Sequence, residues 1–153
     1  MALSLQELSG AYANALEAFN TLSQLPDHNP KEKGGYLVIL SMRSGIVEAI
    51  LLIGECSAEN ASRYHRFALE KAMRLSEHRD HVSSWQSRNP EKEQYQGGVK
   101  FGDYVHAFSG LSEKKDEVIA LMSIVGASHI KRRDARQIAE ISDNIELLVQ
   151  CLD

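Results

Sequence analysis

Apolar residues recur along the chain with two different periods, and the switches between them outline a fold. Leu5, Leu8, Tyr12, Ala15, Leu16, Phe19, Leu22 and Leu25 follow at three- and four-residue intervals, one stripe of a helix of about six turns. Ser4 and Glu7 stand at its start in the spacing of a capping box, and Pro26 and Pro30 end it. Two short apolar runs, 36–40 and 46–54, come next, separated by Met42-Arg43-Ser44-Gly45. Periodicity alone does not separate buried strand from buried helix over such lengths, and Glu48, Ala49 and the leucines also suit a helix at 46–54. The short spacing, the β-branched residues and the punctuation by Gly35 and Gly45 favour a hairpin of two strands.

Ser57 then caps a second long helix. Ala61, Tyr64, Ala68, Ala72 and Leu75 form its buried stripe with Phe67 beside it, and Arg63, Arg66, Glu70 and Arg74 are expected to face water. Small alanines on that stripe let the helix lie close against a sheet. Past Glu77 the pattern stops, and a loop from about 79 to 96 carries the only tryptophan, Trp85. A second hairpin is read at 99–101 and 104–108 around Gly102-Asp103, a pair suited to a tight turn. Ser109-Gly110 breaks that strand, and Ser112 with Glu113, Asp116 and Glu117 opens a third helix. Val118, Leu121, Met122 and Val125 point inward on it, and Gly126 is placed as its C-cap. Ala135, Ile138, Ile141, Ile145, Leu148 and Leu152 keep three-four spacing through the tail, which reads as one further helix over 128–153. The order α-β-β-α-loop-β-β-α-α, with strands joined by short turns, implies an α+β fold with an antiparallel sheet.

Composition narrows the picture. A chain of 153 residues with 43% hydrophobic and 25% charged residues suits one soluble domain with a real core. Its net charge of −4 gives no general reason to expect nucleic acid or an anionic membrane as partner. Cys56 and Cys151 are far apart, so neither a disulfide framework nor a cysteine metal site is expected, and a reducing cytoplasm fits. The first residues lack a basic stretch followed by an apolar run, so no secretory signal is expected. The longest apolar run, 46–54, is broken by Glu48 and falls short of the roughly 20 residues that span a bilayer.

Several residue groups invite a chemical reading. Around Trp85, the loop offers a flat apolar face, a bidentate donor in Arg88 and short hydrogen-bonding groups in Ser83, Ser84, Gln86 and Ser87. Either it borders a pocket against the Gly97-Gly98 strand, or Trp85 pins it to the core. His78 and His81 are three apart, the spacing of a ligand pair on a helix, yet they lie near a helix end, and no metal site is expected. His106, between Val105 and Ala107, is either a partly buried sheet residue or a pocket ligand. Ser109-Gly110 stands at a strand-to-helix corner but lacks the Gly-x-Ser-x-Gly pattern of an esterase elbow, so no catalytic residue is assigned. Lys131-Arg132-Arg133 with Arg136 is the only basic cluster, read as a solvated face or a source of intersubunit ion pairs. The apolar stripe behind it packs on the domain or on a second subunit.

Three groups of residues share their order and spacing with a known family. They are Ser41-Met-Arg-Ser-Gly45 between two strands, Glu70-Lys71-Ala72 late in the second helix, and a longer run at 97–120. That run holds Gly97-Gly98, Gly102-Asp103, Ser109-Gly110 and Asp116-Glu117 with Ala120. Over about residues 5–125 the chain resembles the GlcG/HbpS-like domains, also found at the C-terminal end of PduO proteins. It departs from them at Ser41, where the family usually has an acid, and in the tail beyond Gly126. The resemblance implies a profilin-like antiparallel sheet of four to five strands flanked by helices. It also implies self-association and a link to small metabolites, and some members bind haem. The resulting expectation is a single domain, 1–126 as core and 127–153 as a C-terminal helical extension. It would bind a small ligand and itself, neither nucleic acid nor membrane, through Ser84, Trp85, Arg88, Gly97, Gly98, His106, Ser109 and Gly110. The alternatives are an enzyme working at the Trp85 loop and the Ser109-Gly110 corner, or an interaction module using the sheet edge and the tail helix.

Overall fold

The computed structural model describes residues 2–152, so Met1 and Asp153, the ends of the N-terminal and tail readings, lie outside it. Helix α1 (Leu5–Ser23) is followed by strands β1 (Gly34–Ser41) and β2 (Val47–Gly54) and helix α2 (Ala58–Glu77). Two short 3-10 turns, Ser84–Ser87 and Pro90–Lys92, lead to β3 (Gly98–Phe101) and β4 (Tyr104–Ser109). Helices α3 (Glu113–Gly126), α4 (Arg132–Ile141) and α5 (Ile145–Leu152) close the chain. The α+β expectation holds: the four strands form one antiparallel sheet in the order β2-β1-β4-β3, with helices on both faces.

The sheet order explains the apolar runs. β1 and β4 are central, so both of their faces are covered and alternation gives way to continuous burial. Leu37 and Ile39 of β1 and Phe108 of β4 join α1 and α3 on one side. Val38, Leu40, Val105 and Ala107 meet Ala68, Ala72 and Leu75 of α2 on the other, where the alanines allow the close approach read from the sequence. Both hairpins form, and of the Gly102-Asp103 pair only Gly102 takes a positive φ, +60°, which fits a type II′ rather than a type I′ turn.

Helix α1 carries its capping box, with Glu7 N–H on Ser4 Oγ and Ser4 N–H on Glu7 Oε1. Its buried face is rotated from the expected stripe: Ala11, Ala15, Ala18, Phe19 and Leu22 are buried, while Leu5 is 78% and Tyr12 41% exposed. The cause is a close crossing with α3. Gly10 and Gly126 sit backbone to backbone, and a Cβ on Gly126 would lie 2.2 Å from the Gly10 carbonyl oxygen. Helix α3 is buried all round from Lys115 to Ile124, enclosed by the sheet, α1 and α5.

Gly126 is thus a contact residue, not the C-cap. Ala127 caps α3 and Ser128, at φ +63°, takes the left-handed position, with Ser128 N–H on Val125 O and His129 N–H on Ile124 O in a Schellman motif. A second Schellman motif breaks the tail, which is two helices instead of one. Asp143 has φ +55°, Asp143 N–H bonds Glu140 O, and Asn144 N–H bonds Ala139 O. The tail's apolar stripe packs on its own domain: Ala135, Ile138, Ala139, Leu148 and Leu152 belong to the core that α1 and α3 share with the sheet.

Gly126→Ala tests the crossing. Alanine favours a helix interior by about 1 kcal/mol over glycine, but overpacking against backbone on both sides costs about 1–3 kcal/mol or more. A net loss of at least about 1 kcal/mol in urea unfolding is expected, and a gain would show that α1 and α3 are farther apart.

Candidate functional site

Two cavities flank the start of α3, with Ser112 and Glu113 in the wall of both. The larger, about 1010 Å³, lies between the Trp85 loop and the α4–α5 connection. The smaller, about 600 Å³, lies over α2 at the Ser109-Gly110 corner. Three buried polar side chains build the frame around them, and a fourth, His106, lies toward the far end of α3.

Lys71 is the first. It lies on the sheet-facing side of α2 and is 2% exposed, with Nζ donating to Phe108 O at 2.8 Å and to Asp116 Oδ2 at 3.0 Å. The other Asp116 oxygen accepts from Leu111 N–H at 2.8 Å. A Cβ on Gly97 would lie 2.6 Å from Lys71 Nζ, so this glycine (φ +137°) leaves the space that the ammonium fills. Burial raises the Asp116 pKa to about 7 against the opposing pull of Lys71 and the Leu111 N–H.

Arg74 is the second, and it corrects the sequence reading: it is buried, not facing water. Its guanidinium donates to Ser87 Oγ at 2.9 Å, Glu70 at 2.6 Å, Ser84 O at 3.3 Å and Tyr95 O. The loop after α2 folds back over it and supplies the carbonyls, so the loop is fastened and not free. Ser84 is buried in the same network, donating to Tyr95 O and accepting from Gly98 N–H.

Glu117, fully buried on α3, accepts from Ser83 Oγ, Ser142 Oγ and Asn144 Nδ2. One carboxylate therefore joins the Trp85 loop to the α4–α5 connection, the two opposite walls of the larger cavity. His106 is the fourth. It is fully buried on the α3 side of the sheet, in neither cavity wall. Ser123 Oγ donates to Ala120 O, so it accepts from His106 Nδ1 at 2.9 Å, and His106 Nε2 is left to accept from His129 Nδ1 at 3.1 Å. His129 Nε2 lies 2.8 Å from Glu7 Oε2, under the stacked ring of Tyr104. Burial, and then the charge of His129, hold His106 well below the ordinary histidine range.

The expected site residues divide accordingly. Trp85 (40% exposed) and Arg88 line the larger cavity, so Trp85 is a rim residue and not a core anchor. Arg88 is not an open donor: its fork is filled by Glu113 at 2.7 Å on both oxygens. Ser109 and Gly110 line the smaller cavity. The wall around Ser109 holds no histidine, and Lys71 is committed to Phe108 O and Asp116. Ser84, Gly97, Gly98 and His106 lie behind the cavities as framework.

Two residues that the sequence did not single out give the larger cavity its character. Gln96 and Asn144 are each 2% exposed and stand in its wall, yet Gln96 Nε2 and Asn144 Oδ1 are buried without a hydrogen-bond partner. The Asn144 amide is anchored on the first turn of α3 through Nδ2 on Lys114 O, and the backbone N–H of Gln96 donates to Glu113 Oε1. The turn-forming cluster Ser142-Asp143-Asn144 was the available signal for one of them; nothing in the sequence marks Gln96.

The larger cavity does not fit haem, because its wall holds no His, Cys, Met or Tyr to ligate the iron. His78 and His81 stack on each other at 4.6 Å, and among the described residues no group of three or more His, Cys, Asp and Glu is placed to hold a metal. No helix among them is long and apolar enough to cross a membrane. No family model, curated protein or solved structure matches the chain.

The His106 arrangement predicts a pH dependence. A histidine kept neutral in the folded state but free to protonate near pH 6.5 when unfolded makes stability fall as pH drops below that value. Asp116 has the opposite sign, adding stability as pH falls from about 7 toward 3.8. His106→Gln should therefore gain relative to wild type by up to about 1.4 kcal/mol per pH unit below 6.5, measured by urea unfolding. A difference that does not change with pH would mean that His106 protonates in the folded protein.

Proposed function

We propose that the chain is a GlcG-like, small-ligand-binding and self-associating protein without catalytic machinery of its own, its ligand seated in the cavity beside Trp85. The observation that carries this reading is the cavity of about 1010 Å³ beside Trp85, whose wall sets the indole, Leu25, Ile145 and Leu147 beside the polar side chains of Gln96, Asn144 and Gln150. The frame around it is fastened through Arg74, Glu117 and the Arg88–Glu113 pair, which holds the wall in place. A cytoplasmic setting suits the two free thiols of Cys56 and Cys151.

Trp85 is the only tryptophan, so its emission reports on this cavity alone. A panel of neutral, anionic and cationic aromatic fragments is expected to contain one class that shifts it saturably. Gln96→Met should abolish that response and stabilise the fold by about 1 kcal/mol, because it removes an unsatisfied amide of similar shape. If no fragment class moves the emission, or if the variant is less stable than wild type, the cavity is not a binding site.

Self-association is supported by β2, an edge strand whose α2-side residues Ile50 and Leu52 remain 44% and 43% exposed because α2 lies over the other three strands. Ile50→Lys with Leu52→Lys is expected to leave a folded monomer in sedimentation where the wild type is a dimer or larger. An unchanged assembly would remove this strand from the interface.

A further inference from the structure

We propose that two copies of this chain meet along the outer edges of their β2 strands, antiparallel and about a twofold axis at Leu51, so that two four-stranded sheets become one of eight. The proposal rests on the self-association reading of β2 and concerns how the copies meet. The sheet ends in β3 on one side and in β2 on the other. β3 is closed by the loop before Trp85, where Ser83 bridges to Val99 and Lys100 N–H donates to Val82 O at 2.9 Å. Among the described residues, no backbone hydrogen bond covers the outer side of β2. The phase of the ladder fixes which of its groups face outward. Glu55 N–H bonds Lys33 O, in step with Gly34 opposite Gly54, so the odd-numbered residues of β2 bond β1. Met42 N–H bonds Asp103 O, in step with Tyr36 opposite Ser109, so the even-numbered residues of β1 turn to β4, as the alternation requires. The N–H and C=O groups of Ile50 and Leu52 therefore point to the open edge.

Such an edge is a template for another strand, and sheets ordinarily guard it with Lys, Pro or an inward charge. From Ala49 to Gly54 β2 has no charged residue and no proline. Self-complementarity points to a second copy as the occupant and fixes the register. Glu48 is the extra residue where the β1–β2 register shifts, so the regular ladder begins at Ala49. Centred on Leu51, the pairing sets Ile50 of each copy opposite Leu52 of the other, on one face. Centred on Leu52 it would set Ile50 opposite Gly54, and centred on Ile50 it would draw the bulge into the ladder. The strand ends also match. The turn end carries Arg43, Glu48 and the exposed Ile46. The opposite end carries Lys33, Glu55 and a groove of about 630 Å³ whose wall includes Leu52, Gly54, Cys56 and Tyr64. An antiparallel meeting brings the turn end of each copy to this end of the other. Arg43 is then offered a carboxylate in Glu55, Glu48 an ammonium in Lys33, and Ile46 an apolar groove.

Amide exchange on the full, unaltered chain tests the strand pairing. The Ile50 and Leu52 amides are expected to exchange at least tenfold more slowly at concentrations where sedimentation shows the dimer than where it shows the monomer. Directed disulfides test the register in a chain carrying Cys56→Ser and Cys151→Ser. Leu51→Cys should link to itself under mild oxidation, because a non-hydrogen-bonded antiparallel pair lies about 4.5 Å apart at Cα, within disulfide reach. Ala49→Cys, opposite Ile53 of the other copy, should not. A dimer whose Ile50 and Leu52 amides stay fast overturns the strand pairing and leaves self-association standing. A dimer that links through Ala49→Cys and not through Leu51→Cys overturns the register in the same way. A chain that sediments as a monomer at every concentration overturns both, and leaves the edge to a strand of another protein.

Discussion

A buried lysine organises this molecule. Lys71 projects from α2 through the place where Gly97 has no side chain, and its ammonium ties the end of β4 to Asp116 of α3. Helices on opposite faces of the sheet are thereby joined by one ion pair. Such a pair gains little over a well-packed apolar replacement, because desolvation offsets most of the attraction, but losing one partner leaves a buried charge unmatched. The corner Ser109-Gly110 depends on the same close packing, since Gly110 passes Gly34 and Gly35 with no room for a Cβ. Glycines and charges that are far apart in the chain are therefore parts of one constraint.

On the other side of α3, Glu117 and Arg74 hold two walls whose relative position no secondary structure would set. Glu117 bonds both the loop before Trp85 and the α4–α5 break, and Arg74 binds the carbonyls that bring that loop back over α2. Rigid walls keep the side chains of a binding cavity in place, which lets a weak set of polar groups discriminate between ligands. It follows that the polar network serves mainly to shape space. The histidine chain from Ser123 to Glu7 does comparable work at the other end of α3. There it seats the Schellman turn on the sheet and the N-terminal turn of α1.

How far the sequence carried can be judged from single residues. Ser4 and Glu7, Ser57 and Gly102 did what their local chemistry prescribes, because caps and tight turns are satisfied within a few residues. Leu5 and Tyr12 fitted the helical period and are nevertheless exposed, because the face that α1 buries was decided by the Gly10–Gly126 crossing. The α4–α5 break escaped notice for a related reason. Ile141 and Ile145 are four apart whether or not the helix is interrupted between them, so the apolar spacing carries no trace of Asp143 at positive φ. Trp85 and Arg88 were singled out by residue type and do line the larger cavity, but the filling of Arg88 by Glu113 depends on a residue 25 positions away.

The sequence by itself determined the first three helices, the two hairpins and the antiparallel α+β class, since period, capping and turn chemistry act over a few residues. Only the tertiary structure decided that Lys71, Arg74 and Glu117 are buried, that Gly97 and Gly126 are contact positions, and that Gln96 and Asn144 share a cavity wall. A polar side chain looks the same in sequence whether water or a distant segment satisfies it. Its partners, and hence its burial and its availability to a ligand, exist only once the chain has closed on itself.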